Sequence, residues 1–270
     1  MKIFDFNIHL PFVKDNDVNV VIAQDMALGV QDLCKAIEIH GDKINRVDGG
    51  NFLLFNTQLF DEDPMPFVNK AKEYFSRTTF TVLTDFRSTS VFERIDQAAI
   101  AGVKAIMFNS YLQRISYSDF PELLKVCLYV QEKGLIICLD GSYGTSKMKV
   151  YDNLELACFV SENIQKTPIV IVHSGGYRVI EFFLLAADKR NVWLDTSFSL
   201  PYYIGSSIEK DYAFVYKKMQ AKRIVFGTDF PYDNSDEALQ IHLDFFARHN
   251  FTEVEMDRIL FENACELFDI

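Results

Sequence analysis

Glycine and proline are scarce, at 12 and 7 of 270 residues, and no stretch concentrates them. The chain has no low-complexity linker or hinge at which to divide it, so one domain over residues 1–270 is expected. Basic residues are in the minority. Lys and Arg total 27 against 38 Asp and Glu, a net charge of −11. Without a basic stripe to neutralise phosphates, neither nucleic acid nor an anionic membrane is an expected partner. No apolar run reaches the roughly 18 residues that a membrane span needs. The opening Met1-Lys2-Ile3-Phe4-Asp5 carries an acid in its first apolar stretch and lacks the zones of a signal peptide. The five cysteines (Cys34, Cys127, Cys138, Cys158, Cys265) are odd in number and form no C-x-x-C pair. Four fall in apolar helix or strand patterns, so free buried thiols in a reducing cytoplasm are expected. There is no G-x-S-x-G, H-E-x-x-H or Rossmann glycine pattern, which leaves a serine hydrolase or a dehydrogenase without support. The loop Gly141-Ser142-Tyr143-Gly144-Thr145-Ser146-Lys147 fails the phosphate-loop spacing.

What the chain does have is apolar material: 25 Phe, 12 Tyr and 49% hydrophobic residues. Much of it comes in short runs that end in polar residues: Ile3–His9, Phe52–Gln58, Phe80–Asp85, Ala105–Asn109, Leu135–Asp140, Ile169–His173, Val192–Thr196 and Ile224–Asp229. Helical patterns follow most of them. These are a segment from Asp63-Pro64 to about Arg77, then Val91–Ala101 stopping at Gly102, Ser118–Gly134, Asp152–Gln165, Arg178–Lys189, Ile208–Gln220, Asp236–His249 and a final Glu253–Phe268. The first helix lies somewhere in Asn16–Ile44. Strands alternating with helices imply βαβ units and a parallel sheet. Eight such units in a chain of this length favour a (β/α)8 barrel over an open doubly wound sheet.

The polar residues fall where such a barrel would use them. On the first strand Asp5, Asn7 and His9 alternate with Phe4, Phe6 and Ile8, so they are expected to share one face, directed inward. Near-continuous apolar runs, as in buried parallel strands, stop at Asp140, at His173, at Asp195-Thr196-Ser197 and, after Gly227-Thr228, at Asp229. The strand ends of a parallel barrel converge on its C-terminal face, where the chemistry of such folds is carried. His and Asp are metal ligands, and a metal-bound water attacks a carbonyl at neutral pH. An Asp there can also act as general base without an ion.

Several segments carry a resemblance. Asp5-Phe6-Asn7-Ile8-His9 stands where a D-x-H-x-H strand would. Val172-His173-Ser174-Gly175-Gly176, Asn191-Val192-Trp193-Leu194-Asp195-Thr196-Ser197, Arg223-Ile224-Val225-Phe226-Gly227-Thr228-Asp229-Phe230-Pro231 and Ile259-Leu260-Phe261-Glu262-Asn263-Ala264-Cys265-Glu266-Leu267-Phe268 follow in order. The set resembles the amidohydrolase superfamily, specifically its amidohydrolase-related branch of metal-dependent TIM-barrel hydrolases and decarboxylases. The resemblance implies His9 as metal ligand, His173 as ligand or electrophile, and Asp229 as ligand or general base. Two positions depart from it. Asn7 replaces the first imidazole, and Asp140 stands where a His often ends the fifth strand, as a possible carboxylate ligand. Asn7 is a poor zinc ligand, and oxygen donors tilt a site toward Mn²⁺ or Mg²⁺. Three outcomes stay open: one altered divalent site (Zn, Mn or Mg), a metal-independent hydrolase, or a barrel without hydrolysis.

A small-molecule substrate is the expected partner, and a homo-oligomer is left open. Arg87 and Arg178 could clamp a substrate anion, as could Arg114 and Lys147. Asn7, Asn109, Tyr111 and Tyr143 are further substrate-binding candidates, and Tyr202 and Tyr203 lie in a loop on the same side. His40, His242 and His249 fall in or beside helices and read as structural or exposed. The expected activity is hydrolysis of an amide, ester or lactone by Asp229 and His173. Decarboxylation in the same site, or a degenerate barrel that binds a ligand or partner, are the alternatives.

Overall fold

The computed structural model describes residues 1–10, 29–44, 47–56, 59–75, 77–143 and 146–270. Eight strands form one sheet in sequence order: β1 (Phe4–Ile8), β2 (Gly49–Leu54), β3 (Arg77–Leu83), β4 (Ala105–Phe108), β5 (Ile136–Asp140), β6 (Ile169–Val172), β7 (Val192–Asp195) and β8 (Ile224–Val225). Every pairing is parallel. Strand β8 returns to β1 through an Ile8–Phe230 bridge and bonds from Phe6 N to Phe226 O (2.8 Å), Asp229 N to Asn7 O (2.9 Å) and His9 N to Phe230 O (2.7 Å). The result is a nearly closed (β/α)8 barrel. Its principal helices are α1 (Val30–Ile44), α2 (Met65–Ala71), α3 (Val91–Ala101), α4 (Phe120–Glu132), α5 (Asn153–Asn163), α6 (Val179–Asp188), α7 (Ile208–Lys218) and α8 (Ser235–Arg248). No helix among the described residues is long and apolar enough to cross a membrane.

Two apolar layers hold the barrel. Ile8, Phe52, Phe80, Ile137, Ile171 and Leu194 pack outward against the helices. Phe4, Phe6, Leu53, Met107, Cys138, Val170 and Trp193 fill the interior. Phe268 plugs the N-terminal end, its ring 5.7 Å from those of both Phe4 and Phe6. The helices begin and end for local reasons. Asp152 caps α5 by accepting from Leu154 N (2.8 Å) and Glu155 N (3.0 Å), and Asn234 does the same for α8. Gly102 ends α3 in the left-handed conformation, φ 89°.

Several boundaries depart from expectation. Strand β2 begins at Gly49 rather than Phe52, because its two glycines make room for neighbours. A Cβ on Gly49 would lie 2.6 Å from Phe4, and one on Gly50 2.8 Å from Ile8. Helix α2 stops at Ala71, and Arg77 already belongs to β3. The final helix is three pieces, Glu253–Asp257, a π turn Arg258–Glu262 and Asn263–Phe268. There the Ile259 carbonyl is drawn to Phe226 N (3.0 Å), which opens the helical ladder. The expected strand end at residues 57–58, most of the Asn16–Ile44 stretch before α1 and residues 144–145 lie outside the described residues. All five cysteines are free, but only Cys127 and Cys138 are buried, and Cys158 is exposed.

Candidate active site

The first strand does not keep its simple alternation. The register of β1 against β2 shifts between Asp5 and Ile8. Asp5 accepts the Asn7 N–H (3.1 Å) and so satisfies an amide that the bulge takes from the ladder. Asp5 therefore does not share a face with Asn7 and His9. It turns toward the helix layer, beside Ile44 and Leu239, and binds Thr228 through its backbone N (2.9 Å) and hydroxyl (2.6 Å). Phe4 and Phe6 take the inward positions below, and Asn7 and His9 reach the mouth above them.

At the mouth Asp229 is the meeting point. Its Oδ1 accepts from Asn7 Nδ2 (3.0 Å) and lies 3.2 Å from His9 Nε2. The second Asn7 amide hydrogen goes to Ser197 Oγ (2.8 Å). Ser197 donates its own proton to Asp195 Oδ2 and lies 3.0 Å from His173 Nδ1. Its backbone carbonyl is 3.1 Å from the same nitrogen. An acceptor-only carboxylate on one side and a hydroxyl committed to Asp195 on the other require the Asn7 amide to present NH₂ to both. Asn7 Oδ1 is then a buried acceptor without a partner among the described residues, a state that costs roughly 1–3 kcal/mol in a closed site.

His173 is held equally firmly. Its backbone N donates to Asp195 Oδ2 (3.0 Å), and Nδ1 is committed to Ser197, so Nε2 is the nitrogen left to a substrate. His173 (φ 65°), Ser174 (φ 51°) and Asp229 (φ 65°) all occupy the left-handed region, a strain that the surrounding bonds sustain. Burial opposes protonation of His173, but the carboxylates of Asp229, Asp140 and Asp195 outweigh it and raise its pKa above the ordinary value. Burial raises the pKa of Asp140 and of Asp195, each partly offset by the charge of His173.

Asp140 and Asn109 also reach this mouth. Asn109 Nδ2 donates to Asp140 Oδ2 (2.9 Å), and Ser142 gives its N (2.8 Å) and Oγ (2.6 Å) to Oδ1. Tyr111 lies within the fields of Asp140 and Asp229, its phenol pushed upward by burial first and by those charges next. The arginines are engaged elsewhere. Arg87 bonds Asp119 (3.0 Å) and the carbonyls of Gln113 and Arg114. Arg178 pairs with Asp152 (2.8 Å) and Glu181 and donates to the Tyr143 hydroxyl. Tyr143 thus joins that ion-pair cluster, its pKa pushed up to about 12, by burial first and then by Asp152. Lys147 and Tyr202 are exposed.

Asp195 and Ser197, at and just beyond the end of β7, and Asp233 complete the site. Asp195 faces the interior, and Thr196 faces the helices, where its hydroxyl meets His242 Nε2 (2.8 Å). The parity of β7 contains this result, since Trp193 is interior and Leu194 exterior. Ser197 proves to be the hub between His173, Asn7 and Asp195. Asp233, four residues after Asp229, has its pKa raised to about 6 by burial and then by the Asp229 charge. No spacing signal marks it.

A divalent ion needs several donors converging on one point. Among the described residues no group of three or more His, Cys, Asp or Glu is placed to hold one. The donor chemistry agrees. Asn7 turns amide protons, not its carbonyl, toward Asp229, and both oxygens of Asp140 already accept hydrogen bonds. The described residues do not fit a metal centre.

A family model described as amidohydrolase matches residues 71–270. The chain belongs to the amidohydrolase family. Among solved structures, an uncharacterised TIM-barrel protein from Bordetella bronchiseptica superposes with TM-score 0.75 at 16% identity, covering 100% of this chain and 99% of that one. A probable 2-pyrone-4,6-dicarboxylic acid hydrolase from Acinetobacter baumannii, with citric acid bound, gives 0.64 at 17%, covering 100% of both chains. A dihydroxybenzoic acid decarboxylase from Polaromonas sp. JS666, with manganese and the inhibitor 2-nitroresorcinol bound, gives 0.63 at 13%, covering 99% and 97%. At these identities the likeness is one of fold. Comparison with curated proteins gives no match. The neighbours of this amidohydrolase-related barrel thus include hydrolases and decarboxylases, and one of them holds a divalent metal.

Proposed function

We propose that this amidohydrolase-family barrel hydrolyses a small-molecule amide, ester or lactone, with Asp229 as general base and His173 as electrophile. One observation carries the reading. A single hydrogen-bonded network at the C-terminal mouth holds Asp229 Oδ1 through Asn7 and His173 Nδ1 through Ser197. Both reacting groups are oriented by atoms that take no part in bond making.

Asp229 Oδ1 is occupied, which leaves Oδ2 to take a proton from an attacking water. His173, kept toward its protonated form by the surrounding carboxylates, presents Nε2–H to the substrate carbonyl oxygen and stabilises the charge that develops there. His9, 3.2 Å from Asp229 Oδ1, steadies the carboxylate from the side opposite the reaction. The water oxygen bonds to the carbonyl carbon, its proton goes to Asp229, and collapse of the tetrahedral centre expels the amine or alcohol with that proton.

The test is a panel of lactones, esters and amides, with aromatic carboxylates assayed in parallel for CO₂ release. Asp229→Asn is expected to lower kcat by about 10²–10⁴-fold. Hydrolysis that survives this change within about tenfold removes Asp229 as the base. CO₂ release without hydrolysis transfers the site to decarboxylation.

A further inference from the structure

Helix α6 is apolar on two sides. Between Val179 and Asp188 only Glu181 and Asp188 are polar. Val179, Phe182 and Ala186 are buried against the barrel. Ile180, Phe183, Leu184 and Ala187 follow the i, i+3, i+4, i+7 spacing and form a second stripe on the outer side. Leu184 there is 60% exposed, Ala187 is exposed, and Ile180 and Phe183 are half-buried. A surface helix needs one apolar stripe, and a helix apolar all round is one that is covered all round.

The stripe runs on to α7. The Phe183 ring meets that of Phe214 edge to face at 6.0 Å, and Phe214 is itself 48% exposed. Beside it an open cleft of about 330 Å³ is lined by Ala213, Phe214, Lys217, Lys218 and His249. A contiguous apolar patch with a polar rim is the mark of an interaction surface.

The rim indicates what fits. Helix α6 contains no lysine or arginine, and its exposed charges are Glu181 and Asp188. The cations that reach these acids are shared with others: Arg178 lies between Glu181 and Asp152, and Lys189 between Asp188 and Glu162. Each of these ion-pair groups keeps a negative charge. Helix α7 exposes the opposite sign. Lys210, Lys217 and Lys218 share the outer face with Phe214, Lys218 Nζ 5.8 Å from its ring centre, and none is in an ion pair among the described residues. The acids of α7 are withdrawn: Glu209 is buried in its pairs with Arg248 and His249, and Asp211 is half-buried.

We infer that this face joins two copies of the chain about a two-fold axis, α6 of each packed on α7 of the other. A two-fold contact must be self-complementary. Here Leu184 and Phe214 supply an apolar centre, and the acids of α6 meet the lysines of α7 twice. A partner of one charge sign would suit one helix and be repelled by the other. With a net charge of −11, two copies repel each other over much of their surface, and a face edged with lysines relieves that repulsion. No residue of the mouth takes part, so the contact and its test are independent of the reaction proposed above.

Sedimentation of the full chain from low micromolar to sub-millimolar concentration is expected to show twice the chain mass. Leu184→Glu is expected to give the monomer. Lys210→Glu combined with Lys218→Glu is expected to weaken association at least about tenfold, and added salt to weaken the wild-type dimer. All three side chains are exposed, so circular dichroism and the urea midpoint should be unchanged and show that the variants are folded. A tetramer that falls to dimers in Leu184→Glu upholds the contact. A monomer at every concentration overturns it. So does a dimer that survives Leu184→Glu, since it is built elsewhere, and so does one indifferent to the lysine reversals, since α6 would then not lie on α7.

Discussion

Ser197 illustrates how much of this site depends on a residue that does not react. Its hydroxyl accepts from Asn7, contacts His173 Nδ1 and donates to Asp195. Ser197→Ala removes all three contacts, leaves the imidazole less restrained and frees one Asn7 proton. A fall in kcat of about tenfold to a hundredfold with KM nearly unchanged is expected, as for a loss of orientation rather than of binding; Ser197→Thr should recover part of it. Steady-state kinetics on any substrate found in the panel checks both. His242 makes a different point. It is fully buried between Ala238 O (2.7 Å) and Thr196 Oγ1 (2.8 Å), and burial lowers its pKa to about 4. The folded state thus holds it neutral while the unfolded chain protonates it near 6.5. Its contribution is complete above about pH 6.5 and is lost as the pH falls toward 4, up to roughly 3 kcal/mol. Urea denaturation at pH 7.5 and 4.5 is expected to show that loss, and His242→Gln to flatten the profile.

The elements show that one residue type answers to two different constraints. Gly175, in the turn after β6, has φ 86°, and a Cβ there would stand 2.0 Å from the Phe182 ring. Gly102, which ends α3, has φ 89° and nothing within 4 Å of the same position. Gly102→Ala meets only the backbone preference and should cost about 1 kcal/mol. Gly175→Ala meets that preference and a packed ring in α6. It should cost at least about 2–4 kcal/mol, with loss of activity, since the same turn sets His173. Denaturant midpoints of the two variants separate the terms. Helix α3 was legible to the residue, because Val91–Ala101 keeps the helical period and Gly102 marks its end. Strand β2 was not, because the reason for Gly49 and Gly50 lies on β1 and β3 rather than in their own neighbourhood.

At the scale of the molecule, the barrel is closed by a seam of only a few bonds and plugged by the chain's last helix. Phe268 sits against both interior rings of β1, and Phe268→Ala is expected to cost about 3–5 kcal/mol, measured as the free energy of urea unfolding. The site's ion content is likewise a property of the whole fold. Protein purified without chelators after growth with Zn and Mn is expected to carry well below one equivalent of metal per chain, because amide protons face Asp229 where an imidazole ligand would otherwise stand. One full equivalent, lost in His9→Ala or His173→Ala, would refute that reading.

The alternation of apolar runs with helical periods determined the barrel, since buried parallel strands and amphipathic helices leave separate marks in a chain. The same runs, ending in Asp140, His173 and Asp229, marked where chemistry would gather, and Asn7 was visible as a departure. What the tertiary structure decided is how those groups face one another. The bulge in β1 turned Asp5 away from Asn7 and His9, against the simple alternation. Asp195 and Ser197 entered the site from β7, and the arginines were drawn into ion pairs outside it. Each of these depends on a contact between residues distant in sequence, and periodicity within one segment carries no record of a partner on another.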